Sequence, residues 1–202
     1  MKKRAVKLKR RTTETDIKVD LNIDGTGKFR VYTGIGFLDH MLSLFARHGC
    51  FDLKIIAKGD LNVDIHHTNE DVGIALGEAM AKALGNKKGI RRFGSRDVAV
   101  PMEEALARIA LDISGRPSLY MRCTGKPVPP TLLDRQGYNL SSAKQFLEAF
   151  VRSSGINLHI EYRGEDLHHV LEAIFKAFGR ALCDATRIDP RVKGVPSTKG
   201  RL

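Results

Sequence analysis

The chain has 202 residues, 42% hydrophobic and 28% charged, with 34 Lys and Arg against 23 Asp and Glu for a formal net charge of +11. This excludes a disordered or fibrous chain and gives enough length for a buried core, as one large domain or two smaller halves. No apolar run approaches a membrane span, the basic start MKKRAVKLKRR leads into no apolar stretch, and Cys50, Cys123 and Cys183 form neither a disulfide framework nor a CxxC site, so a soluble, cytoplasmic protein is expected.

The first eleven residues hold Lys2, Lys3, Arg4, Lys7, Lys9, Arg10 and Arg11 and no acid, which leaves only +4 for the rest of the chain. This segment reads as a basic N-terminal arm, 1–11. Alternating and helical periodicities then predict strands over 17–23 and 28–33, a helix over 38–48, a strand from Phe51 and a longer helix from His66. After Gly85–Gly89 the series repeats, with strands over 106–113 and 118–123, a loop over Gly125–Gly137, a helix over 142–153, a strand from Ile156 and a helix from His168. Pro196 opens the polar tail PSTKGRL.

The repetition is in the letters as well as in the order. HHTNEDVGIALGEAMAKA from His66 aligns without gaps on HHVLEAIFKAFGRALCDA from His168, FDLKIIAKGD from Phe51 on INLHIEYRGE from Ile156, and LNIDG from Leu21 on LDISG from Leu111. The expected fold is therefore α+β: two ββαβα half-domains, 12–95 and 96–190, packed as a pseudo-twofold sheet and helix sandwich, with a tail over 191–202.

Six of the seven histidines lie in or beside the repeated elements: His40, His48, His66, His67, His168 and His169. On a helix, His66 and Glu70 share one face, whereas His67 is turned about 100° away and serves a different centre. The same holds for His168, Glu172 and His169. Two copies of one arm point to a dinuclear site of imidazole and carboxylate ligands, a donor set that suits Mn²⁺, Fe²⁺ or Zn²⁺. Thr68, Asn69 and Asp71 change to Val170, Leu171 and Ala173 between the copies, which leaves the histidines and the glutamate as the constrained part. His159, on a strand, reads as structural, and His48 stands between a helix end and a ligand.

Basic residues beside glycine or hydroxyls suggest a phosphate site. Arg91 stands in GIRRFG, Arg116 in SGRP, and Ser197, Thr198 and Lys199 in PSTKG. Lys176 falls eight residues after His168 on the same helix, a spacing that fits a ligand with a metal-binding end and a phosphate end about 8–12 Å apart.

Taken together, ETDI at Glu14, TGIGFLDHML from Thr33, HHTNED, GIRRFG, DISGRP, HHVLEAIFKAFGRAL and PSTKG resemble the imidazoleglycerol-phosphate dehydratase family from about Arg11 to Leu202. The resemblance implies dehydration of imidazole glycerol phosphate to imidazole acetol phosphate in histidine biosynthesis, two Mn²⁺ per active site, and a 24-subunit shell with active sites between subunits. It also implies halves resembling the second domain of ribosomal protein S5. Carried over by position, His40, His66, His67, Glu70, His168, His169 and Glu172 match metal ligands. Glu14, His48, Arg91, Arg116, Lys176, Ser197, Thr198 and Lys199 fall among substrate contacts.

The chemistry explains such a ligand set. The proton to be lost sits on a carbon with no adjacent carbonyl, so a base alone is slow. If both ring nitrogens are on metal, as the resemblance implies, the imidazolate would expel the hydroxyl and the conjugated product would give up its neighbouring proton to a carboxylate, with Glu14 or Glu172 the candidate base.

One position departs from the pattern. Where the family carries a further histidine, in an HFF context, this chain has Gln145 in KQFLEAF, and the internal alignment likewise sets Gln145 opposite His40. A weaker ligand at one metal is expected there. The competing reading, an S5-like nucleic-acid-binding protein with vestigial histidines, would use the basic arm. The lack of an aromatic-rich strand weighs against it.

Overall fold

The computed structural model describes residues 4–128 and 137–202. The order is β1 (Ala5–Arg11), β2 (Thr15–Asn22), β3 (Phe29–Tyr32), α1 (Gly36–His48), β4 (Asp52–Gly59) and α2 (His66–Leu84). It repeats as β5 (Phe93–Met102), β6 (Ala105–Asp112), β7 (Ser118–Cys123), α3 (Leu140–Ser154), β8 (Asn157–Arg163) and α4 (Leu167–Thr186). Residues 129–136 of the predicted loop lie outside the described residues.

Each half forms one four-stranded sheet, ordered β1-β2-β4-β3 and β5-β6-β8-β7. In both, the first three strands are antiparallel neighbours and the last pair is parallel. Period-2 patterning decides which face is covered. Ile17, Val19 and Leu21 of β2, like Ala107, Ile109 and Leu111 of β6, are buried, while Lys18 and Arg108 face outward. The helices cover the apolar faces, α2 against β1 and β2 and α4 against β5 and β6, and the halves meet helix to helix, α1 with α4 and α2 with α3.

That exchange is the pseudo-twofold the repeat requires. The crossings need glycine. A Cβ on Gly77 would collide with the Phe150 carbonyl oxygen, and one on its repeat counterpart Gly179 with the Phe45 carbonyl oxygen. Around these contacts the rings of Phe45, Phe150 and Phe178 stack at centroid distances of 5.1–6.4 Å.

Two sequence expectations need correction. Each half has one more strand than ββαβα, because β1 and β5 precede the strands that were read. The first strand of each half begins at Ala5 and at Phe93. The basic segment is not a free arm from Ala5 onward. It is β1, paired with β2 from Ala5↔Asn22 to Arg11↔Asp16.

Several of its charges have local acidic partners: Lys7 lies 3.7 Å from Asp20 and Lys9 3.6 Å from Asp16, while Arg4 donates to Asp24 and to the Thr186 carbonyl. Arg10 reaches Asp71 of α2 at 2.8 Å, and the Thr15 hydroxyl donates to the same carboxylate at 2.6 Å. Asp71 and Asn69, which the repeat comparison set aside as variable, are both buried. Asn69 donates to the Ser142 carbonyl at 2.8 Å and so ties α2 to α3.

Candidate active site

The beginnings of α1, α2 and α4 place the histidines. In the first turn of α1, the Asp39 carboxylate accepts from the Thr33 N–H at 2.8 Å and from the Thr33 hydroxyl at 2.6 Å, which fixes the TGIG turn and sets His40 at the start of the second turn. An aspartate stands two residues before each HH pair and accepts from the first N–H of that pair, and Asp166 is the N-cap of α4. Asp64 accepts from His66 N at 2.7 Å, and Asp166 accepts from His168 N at 2.7 Å and His169 N at 3.2 Å.

His40, His168 and Glu172 converge. His40 Nε2 lies 2.8 Å and His168 Nε2 3.0 Å from the same oxygen, Glu172 Oε1. Among the described residues this is the group of three whose ligand atoms all fall within 4.8 Å of one another. Lys176, one turn along α4, pairs with Glu172 Oε2 and lies 3.3 Å from Met102 Sδ. Burial pushes the Glu172 carboxyl up, but Lys176, His40 and His168 together outweigh it and hold it at about 2. The i, i+4 reading of His168 and Glu172 is thus met directly.

The adjacent histidines turn elsewhere, as helix geometry requires. His67 Nδ1 is 2.9 Å from Asp60 Oδ2 and 3.8 Å from Glu14 Oε2, and these carboxylates, Asp60 first, raise its pKa. His169 Nδ1 is 2.8 Å from Glu104 Oε2, which raises His169 likewise. Glu104 is held at about 2, first by the Asp166 N–H and then by His169.

Among the described residues, His66 and Glu70 form no second such cluster. His66 Nδ1 lies 3.1 Å from Asp64, and Glu70 accepts from Arg152 at 3.0 Å. Gln145 lies on α3, half-buried, at the position equivalent to His40. His48 ends α1, its pKa lowered first by burial and then by the cations Lys176 and Arg180.

The phosphate motifs gather at the other end of α4. Arg91 pairs with Asp184 at 2.5 Å and its N–H donates to the Arg187 carbonyl. Arg92 is bidentate on Asp112 and donates to the Pro196 carbonyl at 2.8 Å, which anchors the tail of Ser197, Thr198 and Lys199. Leu202 closes against Gly115, beside Arg116. From His168 to Asp184 is about 24 Å along the helix at 1.5 Å per residue.

Glu104 is the site residue that sequence reasoning missed. The alignment that pairs Leu21 with Leu111, carried seven residues back, sets Glu104 on Glu14, both in the turn before the second strand of a half. That register was the available signal.

The family model described as imidazoleglycerol-phosphate dehydratase matches residues 33–182. The imidazoleglycerol-phosphate dehydratase of Thermoanaerobacter pseudethanolicus is 56% identical over 201 residues, covering 98% of this chain and 100% of that one. That of Geobacter metallireducens is 48% identical over 200 residues, covering 98% and 99%. The crystal structure of the Staphylococcus aureus enzyme has a TM-score of 0.76 at 34% identity, covering 92% of this chain and 99% of that one. The structure of Pyrococcus furiosus IGPD in complex with (S)-C348 has a TM-score of 0.78 at 36% identity, covering 96% and 100%.

Proposed function

The chain belongs to the imidazoleglycerol-phosphate dehydratase family and is a hydro-lyase of that kind, and from that premise we propose that it works on its substrate with two Mn²⁺ ions and a carboxylate base. The observation that carries this reading is the convergence of His40, His168 and Glu172. Two imidazole nitrogens and one carboxylate oxygen, with no thiolate, fit manganese. These three residues would hold one ion, with His66, His67, Glu70 and His169 as the further ligands. When bound, such ions would supply Lewis acidity that favours loss of the hydroxyl.

The chain's own residues divide the remaining work. Both oxygens of Glu172 are occupied, one by two histidines and the other by Lys176, which suits a ligand better than a base. Glu14 is exposed on its turn, with His67 Nδ1 at 3.8 Å. We assign it the proton abstraction. Lys176 and His48 stand at the metal end, and together with Arg91, Arg116, Ser197, Thr198 and Lys199 from a neighbouring chain they would hold the phosphate and keep the reacting carbons in register.

The distance of about 24 Å between the His168 end and the Arg91 end of α4 exceeds the length of a small phosphorylated imidazole. One chain therefore supplies the metal end of one site and the phosphate end of another, which supports a homo-oligomer with active sites between subunits, as a 24-subunit shell would have. Pairing of Arg4 and, in β1, of Lys7, Lys9 and Arg10 with aspartates reduces the free charge there for a nucleic acid. No helix among the described residues is long and apolar enough to cross a membrane, in keeping with a cytoplasmic enzyme.

The test is elemental analysis of the purified protein, followed by assay on imidazole glycerol phosphate with and without manganese. The Glu14→Gln variant is expected to bind substrate and metal yet lose turnover. An active variant would remove Glu14 from the mechanism.

A further inference from the structure

Glu104 stands on the turn between β5 and β6, 65 residues from the histidine it faces. Its two oxygens have different partners. Oε1 accepts from the N–H groups of Glu165 at 3.2 Å and Asp166 at 2.9 Å, the loop that leads into α4. Oε2 faces His169 Nδ1 at 2.8 Å. An ionised carboxylate can only accept, so the hydrogen of a neutral His169 ring sits on Nδ1 and Nε2 is left as a lone pair.

The repeat counterpart behaves differently. Glu14 stays 3.8 Å from His67, whose Nδ1 is taken at 2.9 Å by Asp60, a residue of the loop after β4. The carboxylate that orients the second histidine of each pair therefore comes from the strand turn in the second half and from the loop in the first. Glu14 is thereby left available for substrate, and Glu104 is not.

We propose that Glu104 is a positioning residue: it holds His169 in the tautomer that presents Nε2 as a metal ligand, and in the same contact pins the start of α4. This rests on the manganese reading above. Carboxylates in this relation to a ligand histidine change metal affinity by roughly 10–100-fold when removed.

The Glu104→Gln variant separates orientation from loop support. A glutamine has one acceptor oxygen, which the Glu165 and Asp166 N–H groups engage, and its NH₂ group then faces Nδ1 and drives the hydrogen to Nε2. The experiment is manganese titration of the assembled protein by calorimetry, with thermal melting of the metal-free form, on the wild type, Glu104→Gln, His169→Ala and the double variant.

The expected result is a melting temperature close to wild type for Glu104→Gln, one manganese weakened by about 10–100-fold, and no further weakening when the substitution is added to His169→Ala. A Glu104→Gln protein that binds both ions as tightly as wild type overturns the proposal, as does an undiminished effect in the His169→Ala background. A wild type that binds no manganese overturns the manganese reading and this proposal with it.

Discussion

His40 and Glu172, 132 residues apart in the chain, meet at 2.8 Å. One comes from the first half and the other from the second, so the contact exists only because α1 packs on α4 across the pseudo-twofold. His168 shares the same acceptor oxygen, and Lys176 holds the other. Three side chains thus surround one buried carboxylate.

That set makes the metal-free protein acid-sensitive in a defined window. Folding holds the Glu172 carboxyl at about 2, below its usual 4.5. A lowered carboxylate contributes stability in full above the usual value and loses it as pH falls toward the folded value. Melting temperature should therefore drop progressively between about pH 4.5 and pH 2, and Glu172→Gln should flatten part of that slope while lowering stability at neutral pH, where the half-buried Lys176 is left without its anion. An unchanged slope in the variant would place the acid sensitivity elsewhere.

The network of Arg10, Thr15 and Asp71 has no polar counterpart in the second half. At the repeat-equivalent positions stand Val100, Ala105 and Ala173, all buried. Both solutions work because each is complete. Asp71→Ala alone should cost about 1–3 kcal/mol by stranding a part-buried guanidinium, whereas the triple change Arg10→Val, Thr15→Ala, Asp71→Ala should recover much of that loss. Thermal unfolding of the two variants decides it, and a triple variant less stable than Asp71→Ala would contradict the equivalence.

Helix propensity and packing make opposite predictions at Gly179. In an exposed helix, Gly→Ala gains up to about 1 kcal/mol. Here the added methyl would meet the backbone carbonyl of Phe45, which cannot turn aside as a side chain could. Gly179→Ala should lower the melting temperature, and a variant that melts higher would show that α1 and α4 can separate without cost.

Gln145 bears on the manganese proposal. It takes the place in the second half that His40 has in the first, and a carboxamide oxygen is a weaker donor than imidazole. Titration should give two unequal manganese affinities. Gln145→His should bring them closer together, and equal tight binding in the wild type would contradict the assignment.

Much of this was legible because a duplicated chain states each element twice. The predicted helices over 38–48 and 142–153 fall within α1 and α3, and the predicted strands fall within a residue or two of β2, β3, β6 and β7. β1 was hidden by its own chemistry. Lys7, Lys9 and Arg11 on its exposed face give a run of charge, and only Leu8 is fully buried to mark the alternation.

The convergence of His40 with His168 and Glu172 could not be read from spacing, because it depends on which helices of the two halves touch. The partners of Arg91, Arg10 and His169 were illegible for the same reason. Their acids lie 93, 61 and 65 residues away.

The length of α4 has a genetic consequence. If one end of the helix serves one reaction centre and the other end a neighbour's, then a Glu172→Gln chain and a Lys199→Ala chain, each inactive by itself, are damaged in different places. Refolded together, they should assemble into mixed particles in which some centres draw every part from an intact source. Activity should then return in a mixture of two dead proteins, and two alleles of this gene could rescue each other in one cell.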